Sequence, residues 1–203
     1  MAAIPDNQGR DNPASHELGR IINQAKADAK MFFNAHDGQV FVGESGTELL
    51  FRLISTAILG TAKGGHVLGS TLEHPASSSA CKRWSEIAGK DYVAVIHNNE
   101  TLSVDAADYM PHITADTRVA TILHTSPVSG MGVDVGAISR AIRAKSPDCI
   151  IIVDGIQHAA HGGIDIDSYD IDGYVVSPYK MFSRHGYGVA WISDRLSRMP
   201  HNS

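Results

Sequence analysis

The sequence has few cysteines, no long apolar run and no concentration of positive charge. Cys81 and Cys149 are too few for a disulfide framework, so a reducing compartment and a cytoplasmic location are predicted. No apolar stretch reaches the roughly 18 residues that a membrane span needs, and residues 1–13 are polar and lack a signal-peptide core. A net charge of −5 without a basic stripe excludes nucleic acid as the expected partner.

Short apolar runs alternate with helical patterns along most of the chain. The run 149–153 is unbroken and rich in β-branched residues, which is typical of a strand covered on both faces. The other predicted strands are 39–42, 66–71, 91–97, 118–124, 173–176 and 188–192, and the predicted helices are 15–35 (capped by Ser15), 49–60, 76–88, a short one from Asp105 to near Pro111, and 134–146. This alternation predicts a three-layer α/β fold, with a mostly parallel central sheet and helices on both faces.

Three reactive side chains follow the last predicted strands. Asp154 ends one strand, and Ser177 and Lys180 follow the next, so all three are expected at the rim where open α/β sheets bind ligands. These residue types suit pyridoxal phosphate, which needs an amine for a Schiff base, an acid near its pyridine nitrogen and donors for its phosphate. We therefore assign the amine to Lys180, the acid to Asp154 and a phosphate contact to Ser177.

Two further segments are expected to lie at the same rim of the sheet. Gly46 and Thr47 open a predicted helix, where free backbone N–H groups, the helix dipole and a hydroxyl make a site for an anion. His74 follows a predicted strand and is placed where an imidazole can lie flat on a cofactor ring, although a histidine satisfied in a loop explains this residue alone equally well.

Two alternatives from other classes stay open. His158 and His161, with Asp154, Asp165 or Asp167, present ligand types for a metal-dependent hydrolase, but Gly162 and Gly163 argue against the helix that would align the two histidines. We predict no metal. The second alternative is a truncated, non-catalytic module that binds the cofactor without turnover.

Residues 14–203 resemble the class V aminotransferase family, which includes the cysteine desulfurases and has fold type I of the pyridoxal phosphate enzymes. The resemblance lies in four motifs: Ser177-Pro178-Tyr179-Lys180, Asp154-Gly155-Ile156-Gln157 placed 26 positions earlier, Glu73-His74, and the phosphate turn Gly46-Thr47-Glu48. Residues 1–13 are then an irregular N-terminal arm, and residues 14–203 are the cofactor-binding large domain.

The resemblance implies a role for each matched residue. Lys180 forms the internal aldimine and is catalytic together with His74, which stacks on the ring, and Asp154, which pairs with the pyridine nitrogen. Gln157 hydrogen-bonds the ring's phenolic oxygen. The phosphate contacts come from the remaining matched positions, namely Gly46, Thr47, Glu48, Ser177 and Tyr179. An amino-acid substrate and a homodimer are implied as well.

Two departures from the family pattern bear on the reaction. Pro127 stands where the family commonly has an Asn near the cofactor, and proline cannot donate that hydrogen bond. The sequence also ends before the small C-terminal domain, with its substrate arginine and desulfurase cysteine, so it is expected to be truncated. Neither Cys81 nor Cys149 matches that cysteine. Transfer, desulfuration, elimination and epimerisation therefore stay open.

Overall fold

The computed structural model describes residues 9–199. In chain order its strands are β1 (Gln39–Gly43), β2 (His66–Ser70), β3 (Asp91–Val95), β4 (Thr117–Leu123), β5 (Ile150–Asp154), β6 (Gly173–Val176) and β7 (Gly188–Ile192). The α-helices are α1 (Pro13–Phe32), α2 (Gly46–Gly60), α3 (Pro75–Ala88), α4 (Ala106–Tyr109), α5 (Val135–Lys145), α6 (Ile166–Tyr169) and α7 (Asp194–Ser197). Short 3-10 helices span Met110–His112, His158–Ala160 and Pro178–Met181.

All seven strands form one sheet in the order β1-β7-β6-β5-β4-β2-β3. The five strands from β6 to β3 pair in parallel, and β7 pairs antiparallel with both β6 and β1. The predicted mostly parallel sheet is therefore confirmed. Because parallel strands end at the same edge, the segments that follow β2, β4, β5 and β6 meet on one rim.

Alternate residues of the strands pack into two separate cores. In β5, Ile151 and Val153 join the core beneath α1, α4, α5 and α6, whereas Ile150 and Ile152 join the core beneath α2, α3 and α7. Every residue of β5 is buried, which explains why its sequence shows no polar alternation. The two cores give the predicted three layers, with helices on both faces.

The first helix begins earlier than predicted. Asn12, not Ser15, is the N-cap, since the Ser15 amide donates a 2.9 Å hydrogen bond to the Asn12 side chain, and Pro13 occupies the first turn. The helix also stops at Phe32, short of Ala35. Most of the predicted arm, residues 1–8, lies outside the described residues. No helix among those described is both long and apolar enough to cross a bilayer.

Candidate active site

A cleft lies at the carboxyl ends of four parallel strands, against the N-terminus of α2. It holds about 440 Å³ of empty space, which includes space open to solvent. Its lining comes from segments distant in sequence: Ser45, Gly46, Thr47, His74, Leu123, Pro127, Asp154, Ile156, Gln157, Ser177, Tyr179 and Lys180. Eight of the nine positions that the sequence singles out for the cofactor are in this lining.

Lys180 reaches the cleft from the turn that follows β6. Pro178 begins a 3-10 turn, and the Lys180 amide donates to the Ser177 carbonyl oxygen at 2.9 Å. The Lys180 side chain is half-buried, and its Nζ donates to Gln157 Oε1 at 3.1 Å. The amine is thus held by a neutral acceptor inside the cleft and is not paired with a carboxylate there.

Asp154 lies at the floor of the cleft and is 3% exposed. Its Oδ1 accepts a 3.0 Å hydrogen bond from the Ile156 amide. Burial raises the pKa of Asp154, while the Ile156 amide and the charges of His74 and Lys180 oppose that rise. A carboxylate in this position favours a positive charge placed opposite it.

Packing requires a glycine, Gly155, directly after Asp154. A Cβ at position 155 would lie 2.2 Å from the Tyr174 ring, so any larger residue would collide with β6. The glycine of the Asp-Gly motif therefore serves packing. It lets Asp154 and Gln157 approach the cleft over a buried tyrosine.

His74 has a fixed tautomer, because it caps the helix that it precedes. Its Nδ1 accepts a 3.1 Å hydrogen bond from the Ala76 amide at the start of α3. In the neutral ring the proton is consequently on Nε2. Pro75 in the first turn removes one amide that would need a partner. The cap holds the imidazole at the wall of the cleft.

The N-terminus of α2 supplies donors for an anion. Ser45 is the N-cap, and its Oγ accepts from the Glu48 amide at 3.0 Å. The amides of Gly46 and Thr47 come first in the helix, so they have no partner within it. The buried Ser177 hydroxyl lies so close that a Cβ on Gly46 would be 2.3 Å from its Oγ. Backbone donors and two hydroxyls therefore surround one small space.

Two predicted cofactor residues stand apart from the others. The Glu48 side chain is outside the cleft lining and pairs with Arg52 at 3.1 Å, so only its backbone belongs to the helix terminus. Tyr179 is in the lining, but it is 39% exposed and stacks on His185 with ring centroids 4.7 Å apart. It lies at the mouth of the cleft.

Of the two histidines considered as metal ligands, His158 packs against other side chains and His161 does not. His158 stacks on His124 with centroids 3.4 Å apart, and it bonds to Thr125 Oγ1 at 2.9 Å and to the Gly163 carbonyl oxygen at 3.1 Å. His161 is exposed. Within residues 9–199 no three His, Cys, Asp or Glu side chains are grouped to hold a metal ion. The metal-dependent hydrolase has no assembled site in this part of the chain.

With this geometry established, the comparisons with known proteins identify the family. The model of the aminotransferase class-V family matches residues 8–202. This chain belongs to that family. The predicted resemblance is confirmed.

The relatives of this class-V chain include enzymes with different names. It is 29% identical over 201 residues to the nonribosomal peptide synthetase-like enzyme fsqF of Aspergillus fumigatus, a match that covers 97% of this chain and 13% of fsqF. It is 27% identical over 193 residues to a probable cysteine desulfurase of Mycoplasma genitalium, covering 94% of this chain and 46% of that protein. The chain thus spans about half the length of the cysteine desulfurases it matches.

Solved structures show the same fold. The cysteine desulfurase CsdA of Escherichia coli is 23% identical with a TM-score of 0.79, and the match covers 96% of this chain and 49% of that one. The cysteine desulfurase of Thermococcus onnurineus NA1 is 17% identical with a TM-score of 0.84, covering 94% of this chain and 47% of that one. Fold type I is therefore confirmed for this class-V chain.

Sequence reasoning missed part of the cleft lining. Ser45 carried a readable signal, since Ser-x-x-Glu before an apolar run is typical of a helix N-cap. Pro127 was identified from the sequence only as a departure from the family pattern, and the structure places it in the cleft lining. Leu123 and Ile156 line the cleft as ordinary apolar residues, and nothing in their local sequence marked them.

Proposed function

We propose that this chain is the cofactor-binding part of a pyridoxal phosphate-dependent enzyme that acts on an amino acid. The observation that carries the proposal is one cleft containing an amine, a buried acid and an anion-binding helix terminus. Lys180, Asp154 and Gly46 bring these three groups from three different segments. Each group matches one chemical requirement of the cofactor.

The residues at the helix terminus fit the phosphate. Two amide donors, the Thr47 and Ser177 hydroxyls and the dipole of the 15-residue helix α2 all favour a negative group. Because Gly46 has no side chain, Ser177 and Ile156 approach the helix terminus closely; a Cβ there would be 2.5 Å from Ile156 Cδ1. Tyr179, at the mouth, and the Glu48 backbone are proposed as outer contacts.

The opposite wall fits the ring. Asp154 would hold the proton of the pyridine nitrogen, His74 would stack on the ring face, and Gln157 would donate to the phenolic oxygen. When bound, pyridoxal phosphate supplies an electron sink that stabilises negative charge at the substrate's Cα. Lys180 would hold the cofactor's aldehyde through its Nζ amine and would be the group that takes and returns the proton at Cα.

The proposed substrate class is an amino acid. Transfer, desulfuration, elimination and epimerisation all begin by loosening a bond at its Cα, and the cleft suits this shared step. The similar proteins include cysteine desulfurases. Pro127 in the lining offers no side-chain donor, so orientation of the substrate would rely on other groups.

We also propose a homodimer and a reducing, cytoplasmic setting. Large apolar side chains are exposed beside the cleft, with Val128 90% exposed next to Pro127 and Phe182 fully exposed after Lys180. A second copy would cover such a surface. Cys81 and Cys149 are buried and unpaired, which supports a reducing compartment.

The test is covalent capture of the cofactor. Purified protein is mixed with pyridoxal phosphate, reduced with borohydride and digested, and its peptides are weighed by mass spectrometry. We expect the added mass on Lys180, its loss in Lys180→Ala, and no change in Lys82→Ala, an exposed lysine of α3. A folded protein that carries no adduct at Lys180, or equal adducts on several lysines, would contradict the proposal.

Turnover separates an enzyme from a binding module. Protein that captures the cofactor at Lys180 is offered a panel of amino acids, and exchange of the Cα hydrogen for solvent deuterium is followed by NMR. Exchange that disappears in Lys180→Ala supports an enzyme. Capture without exchange of any amino acid supports the non-catalytic module.

A further inference from the structure

His158 is a firmly held side chain beside the cleft that the proposed function does not use. It follows Gln157 directly, in the short 3-10 helix after β5. One face of its ring stacks on His124, with centroids 3.4 Å apart and planes 9° from parallel. Its Nδ1 lies 2.9 Å from Thr125 Oγ1, and its Nε2 lies 3.1 Å from the Gly163 carbonyl oxygen. We call these three partners the clamp of His158.

The two hydrogen bonds of the clamp define the tautomer of His158. The Gly163 carbonyl oxygen can only accept, so Nε2 carries a proton. In the neutral ring Nδ1 is then an acceptor, and the Thr125 hydroxyl donates to it. Gly162 has to be a glycine here, because a Cβ at that position would be 2.5 Å from His158 Nε2. The turn after β5 is therefore built around this ring.

The ring on which His158 stacks is itself fixed. His124 is 5% exposed, and its amide donates to the Asp154 carbonyl oxygen at 3.0 Å. Its Nδ1 shares a 2.8 Å hydrogen bond with the hydroxyl of the fully buried Tyr174. Burial, and then His158, lower the pKa of His124 to about 3, so this ring is neutral and does not repel its neighbour. The stack therefore has a rigid base.

The clamp joins two segments that line the cleft. Gln157 lines the cleft and directly precedes His158, whereas Pro127 lines it two positions after Thr125. His158 itself is outside that lining. By tying the turn after β5 to the segment after β4, the ring fixes the distance between two walls of the cleft.

Gln157 is the residue through which the clamp reaches the reactive amine. Its Oε1 accepts from Lys180 Nζ at 3.1 Å. A displacement of about 1 Å would lengthen this contact beyond hydrogen-bond range. The position of the Gln157 backbone, and with it the clamp of His158, therefore decides whether the contact forms.

We propose that His158 is a positioning residue, which holds Gln157 Oε1 against Lys180 Nζ. It acts through Gln157, because it lies outside the cleft lining. The hold on Gln157 does not depend on the proposed function, and it is testable without cofactor. The consequence for cofactor capture rests on the proposed function.

The first experiment determines the tautomer of His158 in the cofactor-free protein by long-range proton–nitrogen NMR at mildly alkaline pH. Loss of its signals in His158→Phe assigns them. We expect a protonated Nε2 and a hydrogen-bonded, unprotonated Nδ1 in the wild type, in Thr125→Ser and in the control His161→Ala. In Thr125→Val, which keeps the shape but has no donor, the Nδ1 signal should move to that of a free nitrogen. A proton on Nδ1 in the wild type, or an unchanged Nδ1 signal in Thr125→Val, would overturn the clamp.

The second experiment measures the mobility of the Gln157 side-chain amide by nitrogen relaxation, again without cofactor. We expect an order parameter of about 0.8 in the wild type, Thr125→Ser and His161→Ala, and below about 0.6 in Thr125→Val and His158→Ala. Thr125→Val is informative even if His158→Ala fails to fold. A mobile Gln157 in the wild type, or equal order in Thr125→Val and wild type, would overturn the positioning role.

The third experiment links the clamp to the cofactor through the rate at which a borohydride-trapped pyridoxal phosphate adduct forms on Lys180. Thr125→Val is expected to react about tenfold more slowly than the wild type, and Thr125→Ser within about threefold. In a Gln157→Leu background, Thr125→Val should cause no further loss, because the clamp acts through Gln157.

Two outcomes of this third experiment would overturn the proposal. One is an equal rate in Thr125→Val and wild type. The other is the same additional loss from Thr125→Val in the Gln157→Leu background, as a merely structural role would give. If the wild type forms no adduct on Lys180, the proposed function fails, while the relaxation of Gln157 still decides the positioning role.

Discussion

At the scale of single residues, the cleft depends on a position that has no side chain. Gly46 lies between the Ser177 hydroxyl and Ile156, and its amide is one of the proposed phosphate donors. Gly188 on β7 is needed for a similar reason, because a Cβ there would be 2.6 Å from the Gly46 amide nitrogen. The backbone of β7 therefore packs directly against the backbone at the N-terminus of α2.

Gly46→Ala is expected to block the cleft more than it harms the fold. The added methyl group must displace Ser177 or Ile156, which costs about 1–3 kcal/mol of stability, and it shifts the Ser177 hydroxyl that is proposed to hold the phosphate. Titration with pyridoxal phosphate should show at least about tenfold weaker binding. Gly19→Ala is the control: it meets nothing within 4 Å in the middle of α1 and should bind normally and melt slightly higher. Unchanged affinity in Gly46→Ala would contradict the proposed phosphate site.

His124 makes the stability of the protein sensitive to acid. Burial, and then the neighbouring His158, lower the pKa of His124 to about 3, while its Nδ1 shares a 2.8 Å hydrogen bond with the Tyr174 hydroxyl. The unfolded chain therefore takes up a proton near pH 6.5 that the folded chain refuses, so stability falls as pH drops from about 6.5 toward 3, by up to about 1.4 kcal/mol per pH unit.

His124→Gln tests this acid sensitivity. The amide retains a partner for Tyr174 and cannot titrate, so the free energy of unfolding should change less with pH below about 6.5 than in the wild type. Urea titrations at several pH values measure this slope. Parallel curves for the variant and wild type would show that His124 does not cause the loss.

At the scale of secondary-structure elements, Asp172 joins α5 to the sheet just before β6. Its Oδ2 accepts from Arg143 of α5 at 2.7 Å and from the Ile151 amide of β5 at 2.9 Å, and its Oδ1 accepts from Ser193 at 2.9 Å. The acid is 2% exposed. This pairing fixes the start of β6, the strand that leads to Ser177 and Lys180.

Asp172→Asn is expected to lower the free energy of unfolding by about 3 kcal/mol, because Arg143, whose side chain is 11% exposed, then keeps only the more distant and exposed Asp170 as a counter-charge. Urea denaturation measures the loss. Asp170→Asn is the matched control: Asp170 is exposed, pairs with the same arginine at 3.4 Å and has φ +52°, a conformation that asparagine tolerates. Its cost should stay within about 0.5 kcal/mol. Equal losses in the two variants would contradict a special role for Asp172.

At the scale of the whole molecule, the loops at the cleft expose apolar groups that a second copy would cover. Phe182 combines full exposure with φ +63°, a conformation that is unfavourable for phenylalanine. A fully exposed aromatic side chain makes no packing contacts within residues 9–199 of this chain, and it is the type of side chain that anchors interfaces, in line with the proposed homodimer.

Phe182→Asn is expected to weaken self-association at least about tenfold, because an interface loses an aromatic anchor and gains a polar group. Sedimentation velocity over a range of protein concentrations measures the change. Met31→Gln, which alters an apolar residue 79% exposed on α1, is the control and should associate like the wild type. A wild type that stays monomeric at every concentration, or equal association in all three proteins, would contradict the homodimer.

The sequence predicted the architecture because each element carries its own local signal. The unbroken run of β5, the apolar spacing of α5 and the Asp-Gly after β5 follow from neighbours along the chain. The start of α1 was wrong by a few residues, since Asn12 and Ser15 are both good N-caps and only packing selects between them. The local sequence likewise does not predict that the Glu48 side chain turns toward Arg52.

The chain by itself determined the alternation of strands and helices, the types of reactive side chain and the rim on which they stand. Only the tertiary structure decided which of those side chains meet. It turned Glu48 away from the cleft, engaged His158 in a stack with His124, and buried Glu73. The physical reason is that strand and helix formation depends on neighbours in sequence, whereas burial and charge at a site depend on groups that are distant in sequence and close in space.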